Sequence, residues 1–139
     1  MGLTYLADTN IISEIMRPRP DPLVYSRWQT RFSALAISAV TWHELLTGIQ
    51  RMPAVKRRQG LLNFVQEIIL PHLPILSYDA HAAEWHANER ARLVQNGLTP
   101  AYADGQIAGI AASQNLTLVT RNTADFAHFA GIQLENWFI

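Results

Sequence analysis

Five short apolar runs, Thr4–Ala7, Leu35–Ser38, Ile75-Leu76, Leu116–Thr120 and Ile132–Leu134, read as strands separated by helix-patterned segments. Strands spaced in this way are not hairpin partners, whereas helical crossovers join parallel strands naturally. The alternation predicts an α/β domain of three layers, with helices on both faces of a mostly parallel sheet. In open sheets of this kind the reactive crevice lies beyond the carboxyl ends of the strands, so chemistry is expected there.

Local signals place the helices. Asp8-Thr9-Asn10 is turn and cap chemistry ahead of a short helix, Ile11–Met16, which Arg17-Pro18-Arg19-Pro20 stops. Asp21-Pro22 opens a second helix with Leu23, Val24 and Trp28 on one side. A third starts at Thr41-Trp42-His43-Glu44 and carries Leu45, Leu46, Ile49 and Met52 before Pro53. Its two apolar sides cannot easily both face the core. Residues 54–70 read as a helix with Leu61, Leu62, Val65, Ile68 and Ile69 inward, and Pro71 and Pro74 bracket a loop. Ala80–Gln95 ends at Gly97, a suitable C-terminal cap. Pro100–Gln114 is a small-residue helix whose Gly105 and Gly109 suit close helix packing, and Thr123–Phe129 is a short helix. With no repeat, linker or low-complexity tract, residues 1–139 are expected to form one domain.

Composition excludes several classes. No cysteine is present, which removes thiolate zinc, iron–sulfur, thiol catalysis and disulfides together. Charged residues are only 16%, below the roughly 25% usual for soluble domains. With mean hydropathy of +0.02, disorder is excluded and some apolar surface is expected to meet a partner. No segment reaches the ~18 apolar residues of a membrane span. Met1-Gly2-Leu3-Thr4 lacks signal-peptide character, so a cytoplasmic location is the expectation. Net charge is zero, which implies no general field for nucleic acid. Arg121 and the run Arg51, Lys56, Arg57 and Arg58 read equally as solvated surface or as contacts for phosphates.

The 11 acidic residues can be weighed individually. Asp8 follows the first strand and could simply cap the helix behind it. Thr41-x-x-Glu44 fits a capping box, and Asp104 and Asp125 fall in first helical turns, where a carboxylate favours the helix dipole. Singly, each has a structural explanation. If the strands are parallel, however, all four converge on one crevice, where they repel unless a cation neutralises them. Oxygen-only donors suit Mg²⁺ or Mn²⁺ rather than zinc. Such an ion can activate water for an in-line displacement at phosphorus, so phosphodiester hydrolysis is the natural reaction class.

Other chemistries fit less well. His43-Glu44 begins like a zincin motif, but Thr47 stands where the second histidine is needed. His81 and His86 miss the inverted zinc motif by one residue. These histidines read as helix-surface residues. An aspartyl phosphotransferase would want Asp rather than Asn10 and a phosphate-binding lysine, and Lys56 is the only lysine. No phosphate-binding glycine loop is present.

Leu6-Ala7-Asp8-Thr9-Asn10, Ser38-Ala39-Val40-Thr41 leading to Glu44-Leu45, Ala103-Asp104-Gly105-Gln106-Ile107-Ala108, and Leu118-Val119-Thr120-Arg121-Asn122-Thr123-Ala124-Asp125-Phe126 resemble the PIN-domain nucleases. More narrowly, the whole chain resembles the VapC-type toxins of type II toxin–antitoxin pairs. The resemblance implies a PIN-like three-layer fold and a Mg²⁺-dependent endoribonuclease, with Mn²⁺ able to substitute, cutting tRNA or rRNA with a metal-activated water. Asp8, Glu44 and Asp104 match the first three acids of the family site. For the fourth, Asp125 is favoured, with Asn122 as a polar helper and further ligand. Asn122 also leaves open an alternative, a catalytically silent PIN-like module that binds RNA or protein. The implied partners are a VapB-type antitoxin that blocks the crevice, a second copy of the chain, and operator DNA only through the antitoxin.

Overall fold

The computed structural model describes residues 2–139. Its strands are β1 (Tyr5–Ala7), β2 (Leu35–Ser38), β3 (Ile75–Leu76), β4 (Thr117–Val119) and β5 (Gln133–Glu135). The helices are α1 (Thr9–Ile15), α2 (Pro22–Arg31), α3 (Ala39–Gln50), α4 (Val55–Phe64), α5 (Leu70–His72), α6 (Ala80–Gln95), α7 (Tyr102–Ser113) and α8 (Thr123–Phe126). One five-stranded sheet runs in the order β3-β2-β1-β4-β5. Every pairing is parallel, with Leu6 opposite Ala36 on one side and Leu118 on the other. The expected α/β architecture is present. The chain builds outward from β1 to β3, then crosses to the other side for β4 and β5. The direction of winding therefore switches between β1 and β4, where a crevice opens.

Strand alternation divides the core into two layers. Ala7, Leu35, Ile37 and Val119 face one cluster with Ile11, Ile12, Trp28, Leu45, Ile69 and Trp137. Leu6, Ala36 and Leu118 face the other, with Leu93, Ile107, Ile110 and Phe126. Side chains of period two thus meet helices on both faces, which is why Leu6, Ala7, Leu35, Ala36, Ile37, Leu118 and Val119 of the inner strands are all apolar and buried.

Several local expectations change. The 54–70 segment is not one continuous α-helix: α4 passes into a π-helical stretch at Val65–Ile69 before α5. The wider turn keeps Val65 and Ile69 buried but rotates Ile68 into solvent. Pro71 lies in the first turn of α5 rather than in a loop, where its missing N–H is tolerated. On α3, Leu45 and Ile49 are buried while Leu46 and Met52 are half-buried. His43 and His81 are exposed as expected, but His86 is not a surface residue. Its ring is buried between α6 and α7, with Nδ1 3.0 Å from the Tyr78 hydroxyl. Burial, then the charge of Arg90, lowers its pKa and favours the neutral ring.

Close packing of α6 on α7 follows from the two glycines. A Cβ on Gly105 would enter the His86 ring, and one on Gly109 would lie 2.6 Å from the Ala82 carbonyl oxygen. Because a backbone oxygen cannot swing aside, Gly109→Ala is expected to destabilise by about 1–3 kcal/mol through overpacking. Gly48→Ala in α3 meets nothing, and is expected to be neutral or to stabilise by up to about 1 kcal/mol. Paired thermal melts check both signs.

Candidate active site

Asp8 stands where β1 ends. Its backbone N–H donates to the Val119 carbonyl at 2.9 Å, tying the carboxyl ends of β1 and β4 together. Its Oδ1 accepts from the Thr9 amide at 2.8 Å, so the capping role read from the sequence exists. Its Oδ2 accepts from the Thr120 hydroxyl at 2.9 Å and the Asn10 amide at 3.2 Å. Capping and site placement are thus one arrangement. Burial raises the Asp8 pKa, hydrogen bonds from Thr120 and Thr9 oppose this, and the nearby charge of Glu44 adds to it.

Glu44 is not part of a capping box. Ser38 caps α3, accepting from the Thr41 amide at 2.9 Å, because the helix starts at Ala39, two residues before Thr41. Glu44 lies further along the helix, and its Oε1 accepts from the Thr9 hydroxyl at 2.7 Å. Thr9 therefore holds two acids at once, Asp8 through its amide and Glu44 through its hydroxyl.

Asp104 projects from the first turn of α7 without capping it. Burial, then the charges of Asp125, Asp8 and Glu44 in that order, push its pKa up to about 6. Asp8, Glu44, Asp104 and Asn122 line a single crevice of about 520 Å³. Asp125 lines an adjoining hollow beside Asp104, with Ala101 and His128. No three His, Asp or Glu side chains among the described residues are already drawn together around one point. The acids surround a space rather than touch.

Several residues that line the crevice were not read as site residues, among them Thr9, Ser13, Glu14, Arg17 and Phe138. Glu14, in α1, is buried and accepts from Arg17 at 3.1 Å and from the Asp21 amide at 2.8 Å. A carboxylate inside the apolar pattern Ile11-Ile12-Ser13-Glu14-Ile15 was the available signal. Thr9 was read only as part of a cap. Asp8, Glu44, Asp104 and Asn122 offer oxygens to the space, and among the described residues its lining holds no cysteine or histidine, which fits a hard divalent cation better than a soft one.

The strain among these charges has a measurable sign. Folding raises the Asp104 pKa, so the cation-free folded state binds a proton more readily than the unfolded chain. This penalty is full above about pH 6 and is relieved as pH falls toward the ordinary carboxylate value of 3.8. Asp104→Asn is expected to stabilise the cation-free protein at pH 7 by on the order of 1–2 kcal/mol, reduced from the full shift because water reaches the carboxyl. At pH 4 the gain should vanish. Thermal melts at both pH values check it, and a less stable variant would indicate that Asp104 serves the helix instead.

The sequence matches the PIN domain family over residues 5–132. It is 30% identical over 135 residues to the tRNA(fMet)-specific endonuclease VapC of Salmonella typhimurium, covering 97% of this chain and 98% of that one. The fold superposes on the crystal structure of FitAcB from Neisseria gonorrhoeae with a TM-score of 0.89, at 32% identity and 97% and 99% coverage. The DNA-bound VapBC structure from Salmonella typhimurium gives a TM-score of 0.84 at 31% identity, with 97% and 98% coverage. The order of the acidic motifs, the parallel sheet and these likenesses agree: the chain belongs to the PIN-domain family and, within it, to the VapC-type toxins.

Proposed function

We propose that this chain is the toxin of a type II toxin–antitoxin pair and an endoribonuclease that works with Mg²⁺, for which Mn²⁺ can substitute. The carrying observation is that Asp8, Glu44 and Asp104 reach one crevice from three separate elements. The names of its relatives support cleavage of RNA over a silent binding module. The substrate class is structured cellular RNA, tRNA or rRNA.

Asp8, Glu44 and Asp104 would hold the cation, with the Asn122 side-chain oxygen as a neutral ligand. Asp125 contributes charge from beside Asp104. Once bound, a divalent cation would supply Lewis acidity at the phosphate and lower the pKa of a water molecule, easing the proton loss that frees it to attack. The chain's own part is orientation. Asp8 has both oxygens fixed by hydrogen bonds, so its direction is set before substrate arrives. Glu44 is held through Oε1, which leaves Oε2 to accept a proton from the attacking water. The products are a 5′-phosphate and a 3′-hydroxyl, and no 2′-hydroxyl nucleophile is needed.

The antitoxin, of VapB type, has a path to the same crevice. An apolar groove lined by Met16, Leu45, Ile49, Met52 and Leu61 runs from Glu44 toward α4. A segment of the antitoxin laid along it would end at the acids. Operator DNA is then bound through the antitoxin, in keeping with the zero net charge here. A homodimer is part of the same reading. No helix among the described residues is long and apolar enough to cross a membrane, and the proposed site of action is the cytoplasm.

Mapping RNA ends after mixing antitoxin-free protein with total bacterial RNA and Mg²⁺ tests this directly. The expected result is a few discrete cuts bearing 5′-phosphates, abolished by EDTA and reduced at least a thousandfold by Asp104→Asn. Cuts that persist in EDTA, or that carry 2′,3′-cyclic phosphates, would contradict the mechanism.

A further inference from the structure

Four carboxylates and two guanidiniums line the crevice. One of the cations is spent: Arg17 pairs with Glu14 at 3.1 Å. Arg121 forms no ion pair among the described residues. Its guanidinium instead lies over the Phe138 ring, 4.5 Å from the centroid. The local backbone is held in place. The Arg121 amide donates to Asn10 Oδ1 at 3.0 Å, and the same Asn10 side chain reaches Asp8 Oδ2 at 3.2 Å. Phe138 is held from the other direction, its amide donating to Asn136 Oδ1 at 2.9 Å beside the fully buried Trp137.

We propose that Arg121 and Phe138 form a stacking platform for one unpaired RNA base at the edge of the acidic crevice, with Arg121 also meeting the neighbouring phosphate. This rests on the reading of the chain as an RNA-cutting enzyme. Guanidinium and aromatic planes both stack on bases, and every base presents such a face. A crevice of carboxylates repels a phosphodiester, so the lone unmatched cation is best placed at its rim. Contact with the Phe138 ring positions the exposed guanidinium at the rim, where it can meet a base or phosphate. The bond through Asn10 couples the platform to Asp8, so a stacked base would stand in register with the acids. Single-stranded nucleotides can be splayed in this way, whereas paired ones cannot.

The experiment uses the full chain carrying Asp104→Asn, to prevent cutting, and a single-stranded RNA of about ten nucleotides containing 2-aminopurine. Anisotropy reads affinity and 2-aminopurine quenching reads stacking. Arg121→Ala and Phe138→Leu should each weaken binding about tenfold and remove the quench. Leucine keeps apolar bulk at 138, and a thermal melt confirms folding. Arg121→Ala should also reduce the salt slope by about one, while Arg121→Lys restores the slope but not the quench. Arg19→Ala, outside the crevice, should change nothing. Unchanged affinity and quenching in both test variants, or no binding by the parent protein, would overturn the platform. Mg²⁺-dependent cleavage by the unsubstituted chain is read in parallel. Cleavage with an unaffected pair of variants removes the platform alone. Binding with the stated losses but without cleavage removes the nuclease reading and keeps the platform.

Discussion

The hydrogen bond from the Asp8 amide to the Val119 carbonyl closes the gap between the two central strands. It also sets the first acid at the point where the winding of the sheet changes direction. Everything else in the site is placed relative to that junction. Thr9 follows immediately and reaches Glu44 on α3. Thr120, just past β4, and Asn10 in α1 fix the far oxygen of Asp8. A parallel sheet turns its strand ends to one edge, so residues far apart in sequence arrive there without long loops.

That convergence has an electrostatic cost. Burial, followed by the charges of Asp125, Asp8 and Glu44, raises the pKa of Asp104 to about 6, and burial raises that of Asp8. Nearby, Glu14 shows the other solution, a buried carboxylate matched by Arg17 and a backbone amide. Among the described residues, a paired acid and three acids without a cationic partner thus share a single lining. Unmatched acids are tolerated where a cation is to arrive, and that charge is what would make the crevice specific for one.

Much of this was legible in the sequence, for physical reasons. Strand positions were clear because Leu6, Ile37 and Leu118 sit in apolar runs, and their parallel pairing followed from helix-length spacing. Asp8, Glu44 and Asp104 stood out through their positions near strand ends or in first turns. Helix starts were less readable. Ser38 and Thr41 are both good caps, and only the backbone decides that Ser38 serves. The π-helical stretch at Val65–Ile69 has no periodic signature, so Ile68 was misplaced. His86 looked superficial because a histidine's burial depends on what α7 presents, and two glycines make room for it. The fourth position also needed three dimensions. Asn122 lines the crevice and Asp125 flanks it through Asp104, a distinction that three residues of spacing cannot express.

On the proposed function, these acids serve to hold a divalent cation. Titrating Mn²⁺ into the antitoxin-free chain by electron paramagnetic resonance, alongside Asp8→Asn, Glu44→Gln, Asp104→Asn, Asn122→Ala and Asp125→Asn, tests it most directly. Binding that falls at least tenfold for each of the first three variants, with smaller losses for the last two, is the expected pattern. Mn²⁺ affinity unchanged by Asp104→Asn in a folded protein would contradict the claim.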